Sequence, residues 1–350
     1  MQTKLNFGLL LILCLQSCIK PDIVTNPLLS FESFKEVKNV RLNVSDSLIR
    51  VWDLTLVDDV LFVRGDGPEF LFSLINPRSD YYLGDFGRLG QGPCELSKSV
   101  FLNRFGKNGD ILGVFDASQI RFLSILISSV QNIEQEPECI PSSYSIAPNV
   151  MKLVKTDSIN FIASTLSDKP YELYRGNEKI LSIGAYPFQE SFANASGIEL
   201  ALAYQFRLYK NPTKSIVLST SSFSFNMDVL SLNEKQNLEI SSSQHFWPTS
   251  FEASSTSSSF SSTILPDAVF GNISTAVSAD KIYVLYNDLP WNNDLFQTSK
   301  RILVYDWDLN PIEILELDQE VSRIAVHEDD NYLVGYVDDG KANLFRFDLR

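Results

Sequence analysis

Histidine is scarce in this sequence, and its scarcity excludes several kinds of catalytic site. His245 and His327 are the only two among 350 residues, so a catalytic zinc site with three histidine ligands cannot form. Serine is abundant, but the Gly-x-Ser-x-Gly motif that presents the nucleophile of α/β-hydrolases does not occur. We therefore predict no catalytic residue, no metal ligand and no cofactor.

Basic residues are outnumbered by acidic ones. The chain has 29 Lys and Arg against 43 Asp and Glu, which gives a formal net charge of −14, and we find no basic run in it. Binding of nucleic acid requires clustered cations that neutralise the phosphates. We therefore expect no nucleic acid among the partners, and the charge favours a solvated surface that repels other acidic molecules.

Apolar runs long enough to span a bilayer are also missing. Phe7 to Leu15 is apolar over about nine residues, too few for a transmembrane helix, and with Lys4 before it the run is typical of a signal peptide. It ends in Leu15-Gln16-Ser17-Cys18, which resembles the lipobox of bacterial lipoproteins, whose cysteine becomes lipid-modified and N-terminal. The alternative is an ordinary secretory signal that ends near a chance cysteine.

The lipobox interpretation sets the domain boundaries and the location. We predict a lipoprotein signal peptide over residues 1–17, a lipidated tether over residues 18–30 and one folded domain over residues 31–350. Acyl chains on Cys18 would attach the protein to a membrane without a spanning helix. The expected location is the bacterial cell envelope, at either its periplasmic or its surface face.

Few cysteines remain once the signal is removed. Of the four in the chain, Cys14 is lost and Cys18 is acylated, so the folded domain keeps Cys94 and Cys139. Two cysteines in an oxidising compartment can pair, but their spacing does not decide it. The interpretation we favour from the sequence is two separate buried thiols.

Short strand-like segments recur through the mature chain. Phe70 to Ile75, Lys281 to Tyr286 and Arg301 to Asp306 are examples, and turn residues separate them. Many short strands predict a sandwich, a barrel or a propeller, and units of roughly 40 to 50 residues with about four strands favour the propeller. Residues 31–350 then hold about six or seven such units. We predict an all-β β-propeller whose early strand, near Val37 to Val44, closes the ring beside the C-terminal strands.

Two segments depart from the strand pattern. Ile198 to Leu208 has a weak helical periodicity and is the only helix we predict. Residues 253–263 are almost all Ser and Thr around Phe260, a composition typical of a polar connecting loop.

Two motifs carry a family resemblance. Gly87-Arg88-Leu89-Gly90-Gln91-Gly92-Pro93-Cys94-Glu95 resembles a G-R-x-G-x-G-P-G-E stretch of the TolB-like six-bladed propeller lipoproteins of Bacteroidetes. Ile302 to Asp308, followed by Leu315-Glu316-Leu317 and Ile324-Ala325-Val326, resembles the end of the same family. The resemblance implies six blades and an envelope location, and it implies no reaction.

The chain departs from this family pattern at two places. Cys94 stands where the family usually has glycine, and a left-handed backbone there would cost a side chain roughly 1 kcal/mol. Leu309-Asn310 stands where the family usually has Asp-Gly. Since asparagine tolerates the left-handed conformation, the hairpin at Asn310 is expected to survive.

The candidate binding residues lie in three loops. The glycine-rich stretch contributes polar side chains that can face solvent, although its simplest interpretation is a link between blades. The loop around His245 and the loop after Tyr286 combine aromatic, amide and imidazole groups that suit sugar or peptide recognition. The candidates are Arg88, Gln91, Glu95, His245, Trp247, Trp291 and Asn292.

The sequence thus favours a lipid-anchored propeller that acts as a binding or scaffolding module. Its partner would be a glycan, a peptide or another envelope protein. The alternative is a hydrolase or lyase that acts on an extracellular glycan or peptide at the central channel. Such an enzyme requires carboxylates or His245 to converge at one channel mouth, whereas a binding module requires aromatic and amide groups there.

Overall fold

The computed structural model describes residues 26–350 except 49, 106–110, 132–138, 142–145 and 257–258. The predicted signal peptide, the lipid-attachment residue Cys18 and most of the tether therefore lie outside the described residues. Within the described part, no helix is both long and apolar enough to cross a membrane.

Two short strands, β1 (Phe34–Val37) and β2 (Asn39–Arg41), precede the first complete blade. Blades 1 to 3 are four-stranded sheets whose consecutive strands are neighbours. Their strands are β3 (Val51–Val57), β4 (Val60–Gly65), β5 (Phe70–Asn76) and β6 (Tyr81–Arg88), then β7 (Val100–Phe105), β8 (Ile111–Asp116), β9 (Arg121–Leu126) and β10 (Cys139–Pro141), then β11 (Val150–Lys155), β12 (Asn160–Thr165), β13 (Tyr171–Arg175) and β14 (Glu178–Ile183).

Blades 4 to 6 repeat this arrangement, except that blade 6 takes β2 as its outermost strand. Their strands are β15 (Arg207–Lys210), β16 (Ile216–Thr220), β17 (Asn226–Leu232) and β18 (Leu238–His245), then β21 (Val269–Val277), β22 (Lys281–Pro290), β23 (Ser299–Asp306) and β24 (Pro311–Val321), then β25 (Arg323–Val326), β26 (Tyr332–Asp338) and β27 (Ala342–Asp348). A separate hairpin, β19 (Phe251–Ser255) and β20 (Phe260–Ile264), lies between blades 4 and 5.

Helices are few and short. The α-helices are α1 (Ile127–Gln131) and α2 (Gly197–Tyr204), and the 3-10 helices are Pro27–Ser30, Asn43–Ser47 and Gln189–Phe192. Helix α2 begins at a capping box, in which Ser196 and Glu199 each accept a hydrogen bond from the other's backbone N–H. The helix predicted over Ile198 to Leu208 is therefore present, but it ends at Tyr204, and Leu208 lies in β15.

The first strand of each blade lies at the centre of the molecule. Among these inner strands, β7 contacts β11, β11 contacts β15, β15 contacts β21, β21 contacts β25, and β25 contacts β3. The buried cluster between blades 1 and 2 closes this order into a ring of six blades. The sequence prediction of an all-β six-bladed propeller is confirmed.

Apolar packing between neighbouring blades forms the core. Six buried clusters lie between the six pairs of adjacent sheets. In the cluster between blades 1 and 2, Phe62, Phe72 and Phe86 pack on Leu112 and Leu123. Each blade is covered on both faces, so its strands read as near-continuous apolar runs such as Val60–Val63.

The N-terminal strands close the ring, as the sequence predicted. Strand β2 pairs antiparallel with the C-terminal strand β27, with Asn39 opposite Phe347. Strand β1 adds a parallel fifth strand to blade 5, with Phe34 opposite Ile314. Both pairings cover edges that would otherwise expose unpaired backbone groups.

The segment that enters blade 1 after β2 is fastened by one carboxylate. Asp80, in the turn after β5, accepts hydrogen bonds from the backbone N–H groups of Asn43 and Val44 at 2.9 and 3.0 Å, and from Asn43 Nδ2 at 2.7 Å. Burial by itself raises the Asp80 pKa, but the hydrogen bonds from Val44 and Asn43 outweigh it and hold the pKa below its ordinary value.

Cys94 and Cys139 form a disulfide, with a Cα–Cα distance of 6.0 Å. The interpretation of two separate buried thiols was therefore wrong. Their separation of 45 residues concealed that the link after blade 1 runs beside β10, the outermost strand of blade 2. Cys94 is not among the residues with positive φ, so the departure from glycine at this position causes no backbone strain.

Two further expectations need correction. The Ser/Thr-rich residues 253–263 contribute to the hairpin β19–β20, which packs on α2 and donates a hydrogen bond from Ser262 Oγ to the Glu199 carbonyl at 2.6 Å. In the turn before β24, the left-handed residue is Leu309, with φ 65°, and not Asn310. The side chain of Leu309 is buried in the core between blades 4 and 5, and this burial offsets the backbone cost.

Removal of the disulfide is expected to destabilise the propeller. The bond closes a loop of 45 residues, and loop-closure entropy for that length gives about 4 kcal/mol. We expect the paired substitution Cys94→Ser/Cys139→Ser to lower the melting temperature under oxidising conditions. Dithiothreitol should lower the melting temperature of the wild type but leave that of the variant unchanged. Equal melting temperatures for the oxidised wild type and the variant would contradict the assignment.

The hydrogen bonds that Asp80 accepts are expected to make the stability of the protein depend on pH. Because its folded pKa is depressed, its contribution is present above the unfolded pKa and is lost as the pH falls through the folded pKa. Asp80→Asn should lower the free energy of unfolding at neutral pH by about 1 kcal/mol, allowing for solvent screening. The difference in the free energy of unfolding between the wild type and Asp80→Asn should disappear as the pH falls below about 3.9. The exposed Asp294 provides the control Asp294→Asn, and urea unfolding at several pH values is the measurement.

Candidate functional site

The loops that join one blade to the next all emerge on one face of the ring, together with the turns between the second and third strands of each blade. We call this the link face. It carries residues 89–99, 184–206, 221–225, 246–268 and 291–298. The opposite face, which we call the turn face, carries the turns after the inner strands. All seven predicted binding residues lie at the link face or on the strand ends that reach it.

The glycine-rich link between blades 1 and 2 is held by blade 2. Gln119 Nε2 donates to the Gly90 carbonyl at 2.9 Å, and Arg121 donates to the carbonyls of Gly92, Pro93 and Glu95. Arg88 forms an ion pair with Glu69 at 3.0 Å and Gln91 is exposed. The stretch thus connects blades as its simplest interpretation predicts.

Glu95 stabilises the conformation of this link through contacts with the link's own backbone. Its carboxylate accepts a hydrogen bond from the Gly92 N–H at 2.8 Å, and a Cβ added to Gly90 would lie 2.0 Å from Glu95 Oε2. The glycine at position 90 therefore makes room for the carboxylate. Of the three candidates in this link, only Gln91 has a side chain without a described intramolecular contact.

His245 lies at the outer edge of blade 4, on its outermost strand. Its Nε2 atom is 2.9 Å from Asp228 Oδ1, and Asp228 is buried. The same carboxylate accepts hydrogen bonds from Ser243 Oγ at 2.6 Å and from the Tyr171 hydroxyl at 2.7 Å. The imidazole is therefore part of a polar network between blades 3 and 4, away from the channel.

Trp247 packs into the structure near the link face. Its indole lies against Phe225 and Phe246, and its Nε1–H donates to the Val269 carbonyl at 2.7 Å. A Cβ added to Gly271 would lie 2.7 Å from the Trp247 ring. The tryptophan thus fills a space that the glycine leaves, and its one hydrogen-bond donor is used.

Trp291 belongs to an aromatic cluster at the surface, and Asn292 follows it in the chain. We call this cluster the aromatic platform, and it consists of Phe223, Phe270, Trp291 and Phe296. Trp291 is 41% exposed and stacks on Phe223, with ring centroids 6.4 Å apart and planes at 10°. Phe270 makes ring contacts with the other three at 5.0, 5.7 and 5.5 Å. The sequence indicated Trp291, but the phenylalanines were missed: Phe296 lies in the same loop, Phe270 in β21 and Phe223 in the turn after β16.

The platform borders the mouth of the central channel. The channel holds a cavity of about 390 Å³ that the inner strands of all six blades line. Ser222 and Phe223, from the same turn of blade 4, are part of its lining. Phe223 therefore lies both in the channel wall and beneath Trp291.

Cationic side chains dominate the lining of this cavity. Its lining includes two carboxylates, Asp53 and Glu328. It includes six cations, which are Arg64, Arg104, Lys152, Arg207, Lys210 and Arg323. This concentration is not visible in the sequence, because the six residues are spread over five strands and only Arg207 and Lys210 share one.

At the turn face, one arginine joins three blades. Arg104 of blade 2 forms ion pairs with Asp58 of blade 1 at 3.1 Å and with Glu328 of blade 6. Burial, assisted by the neighbouring Asp58, raises the pKa of Glu328 above its ordinary value, and Arg104 opposes this shift. The two carboxylates are thus held by one guanidinium between blades.

A metal centre does not appear in the described part of the chain, where no group of three or more His, Cys, Asp and Glu side chains is arranged to hold an ion. The polar groups of the link face are amides, hydroxyls, cations and carboxylates such as Asp267 and Asp294 beside aromatic rings. Such groups bind ligands through stacking, hydrogen bonds and charge.

Six blades in a ring, five of four strands and one of five, with loops and a channel mouth gathered on one face, define a six-bladed β-propeller. The chain belongs to the family described as TolB-like 6-blade propeller-like, whose family model matches residues 32–329. The resemblance predicted from the glycine-rich and C-terminal motifs is confirmed at the level of the TolB-like propeller. No match was found among curated proteins.

Solved propellers are similar to the chain at low identity. The β-propeller domain of Cps50 (Swd1) from Myceliophteria thermophila is 10% identical, with a TM-score of 0.43 over 85% of this chain and 99% of that one. Raptor from Chaetomium thermophilum is 9% identical, with a TM-score of 0.44 over 87% of this chain and 28% of that one. The RRP9 WD40 repeats are 7% identical, with a TM-score of 0.44 over 89% of this chain and 97% of that one. At such values the similarities carry no argument about function.

Proposed function

We propose that this protein is a lipid-anchored binding module of the bacterial cell envelope that holds an extracellular glycan at the link face. The aromatic platform beside the channel mouth is the observation that carries the proposal. A sugar ring presents an apolar C–H face that stacks on an exposed aromatic ring, and its hydroxyls bond amides. Trp291 supplies the ring, and the exposed Asn292 beside it supplies the amide.

The platform is preorganised, which favours binding. The Trp291 N–H donates to the Ala268 carbonyl at 2.9 Å, and the Asn292 N–H donates to the Pro266 carbonyl at 3.0 Å. Asn287 Nδ2 donates to the carbonyls of Leu295 and Thr298 at 2.9 and 2.6 Å. Because the loop is tied at both ends, little conformational entropy is lost when a ligand orders it.

The enzymatic alternative has less support. It requires His245 or paired carboxylates at a channel mouth with room for substrate between them. His245 belongs to the outer edge of blade 4, and Asp58 and Glu328 are both engaged by Arg104. Binding without turnover is therefore the function we propose.

The envelope location rests on the resemblance of Leu15 to Cys18 to a lipobox. A propeller on an acyl anchor is held near the membrane while its link face stays accessible through the tether. The high negative charge of the chain disfavours contact with anionic lipid or with nucleic acid. Both properties suit a module that captures a ligand outside the membrane.

Substitution of Trp291 is expected to reduce glycan binding. In a glycan array followed by calorimetry on the best oligosaccharide, Trp291→Ala should weaken binding about tenfold or more, because loss of one stacking ring costs roughly 1 to 3 kcal/mol. Tyr81, which is 65% exposed on blade 1, provides the control Tyr81→Ala, for which we expect no change.

The same assay distinguishes the alternatives. Binding of peptides but not of any oligosaccharide would assign a peptide partner to the platform and contradict the glycan. Cleavage of the bound oligosaccharide would contradict a binding module. Equal affinities for the wild type and Trp291→Ala would remove the platform from the site.

The lipid anchor has its own test. Expressed with its N-terminal segment in a bacterium that processes lipoproteins, the wild type should fractionate with membranes and carry acyl mass on Cys18. Cys18→Ser should release the protein to the soluble fraction, because the acyl chains supply the membrane affinity. A mature membrane-bound protein with an unmodified Cys18 would refute the anchor.

A further inference from the structure

We propose that the link-face half of the central channel is a binding site for a small multivalent anion that carries carboxylate, sulfate or phosphate groups. Four cations from four different blades converge there, within the cavity of about 390 Å³. They are Arg64 of β4, Lys152 of β11, Arg207 of β15 and Arg323 of β25. The site is separate from the aromatic platform and does not depend on the function proposed above.

The position of each cation follows from the blade geometry. Arg207 and Arg323 are the first residues of their inner strands, so both side chains enter the channel at its link-face end. Lys152 is the third residue of its inner strand, and Arg64 lies one residue before the end of β4, which runs back to the same face. The ring therefore brings to one level four residues that are up to 259 positions apart.

None of the four cations forms a close ion pair with a carboxylate of the described residues, although Asp53 attracts Lys152, Arg207 and Arg323 from a longer distance. In the described part of the chain, no Asp or Glu oxygen forms an ion pair with them within 4.0 Å. Asp53 is the carboxylate nearest to them in the described lining, and its own contact is with the Leu54 N–H at 3.0 Å. Arg64 Nε is buried and has no hydrogen-bond partner among the described residues.

At the other end of the channel, one cation has carboxylate partners. Arg104 is paired with Asp58 and Glu328. Lys210 Nζ donates to the backbone carbonyls of Asn211 and Lys214 at 2.7 and 3.2 Å. Protein carboxylates thus neutralise the channel at Arg104. The four cations of the link-face half have no such ion pair in the described part of the chain, and an anion from outside would supply it.

Neighbouring groups hold these side chains in place. Arg323 Nε and Nη1 donate to the carbonyls of Trp52 and Ser322 at 3.0 and 2.6 Å. Lys152 Nζ lies 3.4 Å from the centre of the Phe101 ring. These contacts use only some of the N–H donors of Arg323 and Lys152. The remaining donors are available to a ligand in the cavity.

The pKa of Lys152 shows the electrostatic cost of bringing these four cations together. Burial, with Arg207 and Arg64 close by, lowers its pKa to about 7, and Asp53 opposes the shift. At Arg207, burial lowers the pKa, but Tyr209 and Asp53 outweigh it and raise the pKa above its ordinary value. At Arg323, burial together with Arg207 and Arg64 lowers the pKa, against the attraction of Asp53. The cations therefore repel one another at Lys152 and Arg323, and a bound anion relieves that repulsion.

Calorimetry with defined anions tests the site. The full chain is titrated at about pH 6 and low ionic strength with citrate, sulfate, phosphate and, as the monovalent reference, chloride. We expect saturable 1:1 binding of at least one multivalent anion. Binding of citrate alone would indicate a carboxylate ligand. Binding of both sulfate and phosphate would indicate an oxyanion of sulfur or phosphorus. Binding of chloride as tight as that of every multivalent anion, or no binding, would overturn the proposal.

Three variants and one control localise the binding. Arg207→Gln and Lys152→Gln should each weaken it about tenfold or more, because a charge-assisted hydrogen bond is lost. Asp53→Asn should strengthen it about threefold or more by removing the opposing charge. Lys98, an exposed cation on the same face, provides the control Lys98→Gln, which should leave binding unchanged. Unchanged affinity in Arg207→Gln, Lys152→Gln and Asp53→Asn would place the anion elsewhere and overturn the proposal.

The pH dependence supplies an independent readout. Lys152 is charged below its pKa and neutral above it, so affinity should fall between about pH 6 and pH 8 in the wild type, and this fall should disappear in Lys152→Gln. In anion-free buffer at about pH 6, Lys152→Gln should also raise the melting temperature, because one repelling charge is gone. A lower melting temperature together with unchanged pH dependence would show a purely structural lysine and contradict the site.

Discussion

Face-to-face packing of the blades is the constraint on which the rest of the structure depends. Every sheet buries both faces, so each blade needs a neighbour on each side, and only a closed ring provides this for the first and the last. The core between blades 6 and 1 joins Val334 and Leu344 to Leu61 and Ile75, close to 280 residues away in sequence. Strand β2 completes that closure by pairing with β27.

The channel follows from the same packing. Six inner strands that meet around an axis cannot fill the centre, so their inward side chains face a solvent-filled cavity and polar residues are tolerated there. Such a cavity also lets cations approach one another more closely than a dry core would allow, because water screens them in part. Arg104 is paired with carboxylates of the protein, whereas Arg207 and Lys152 form no close ion pair with a carboxylate of the described residues.

Local patterns predicted most of the fold, because strands and turns are local. Alternation, apolar runs and turn residues predicted a propeller of six or seven blades, its N-terminal closure and the link formed by the glycine-rich stretch, and the family resemblance gave the count of six. The disulfide was missed because Cys94 and Cys139 meet only through the register of blade 2. The Ser/Thr-rich hairpin was missed because its strands are mostly exposed and small, so composition alone resembles a loop.

The site was predicted less completely because it is assembled from separate blades. Trp291 was recognisable beside amides, but Phe223 and Phe270 join it from another turn and another strand. The channel cations formed no run in the sequence, and the net charge of −14 pointed away from anions. A global charge describes the outer surface, while a ring can collect single cations from its inner strands into one cavity. Phe223 belongs to both the platform and the channel wall, so the two surfaces that the sequence did not show adjoin at one side chain.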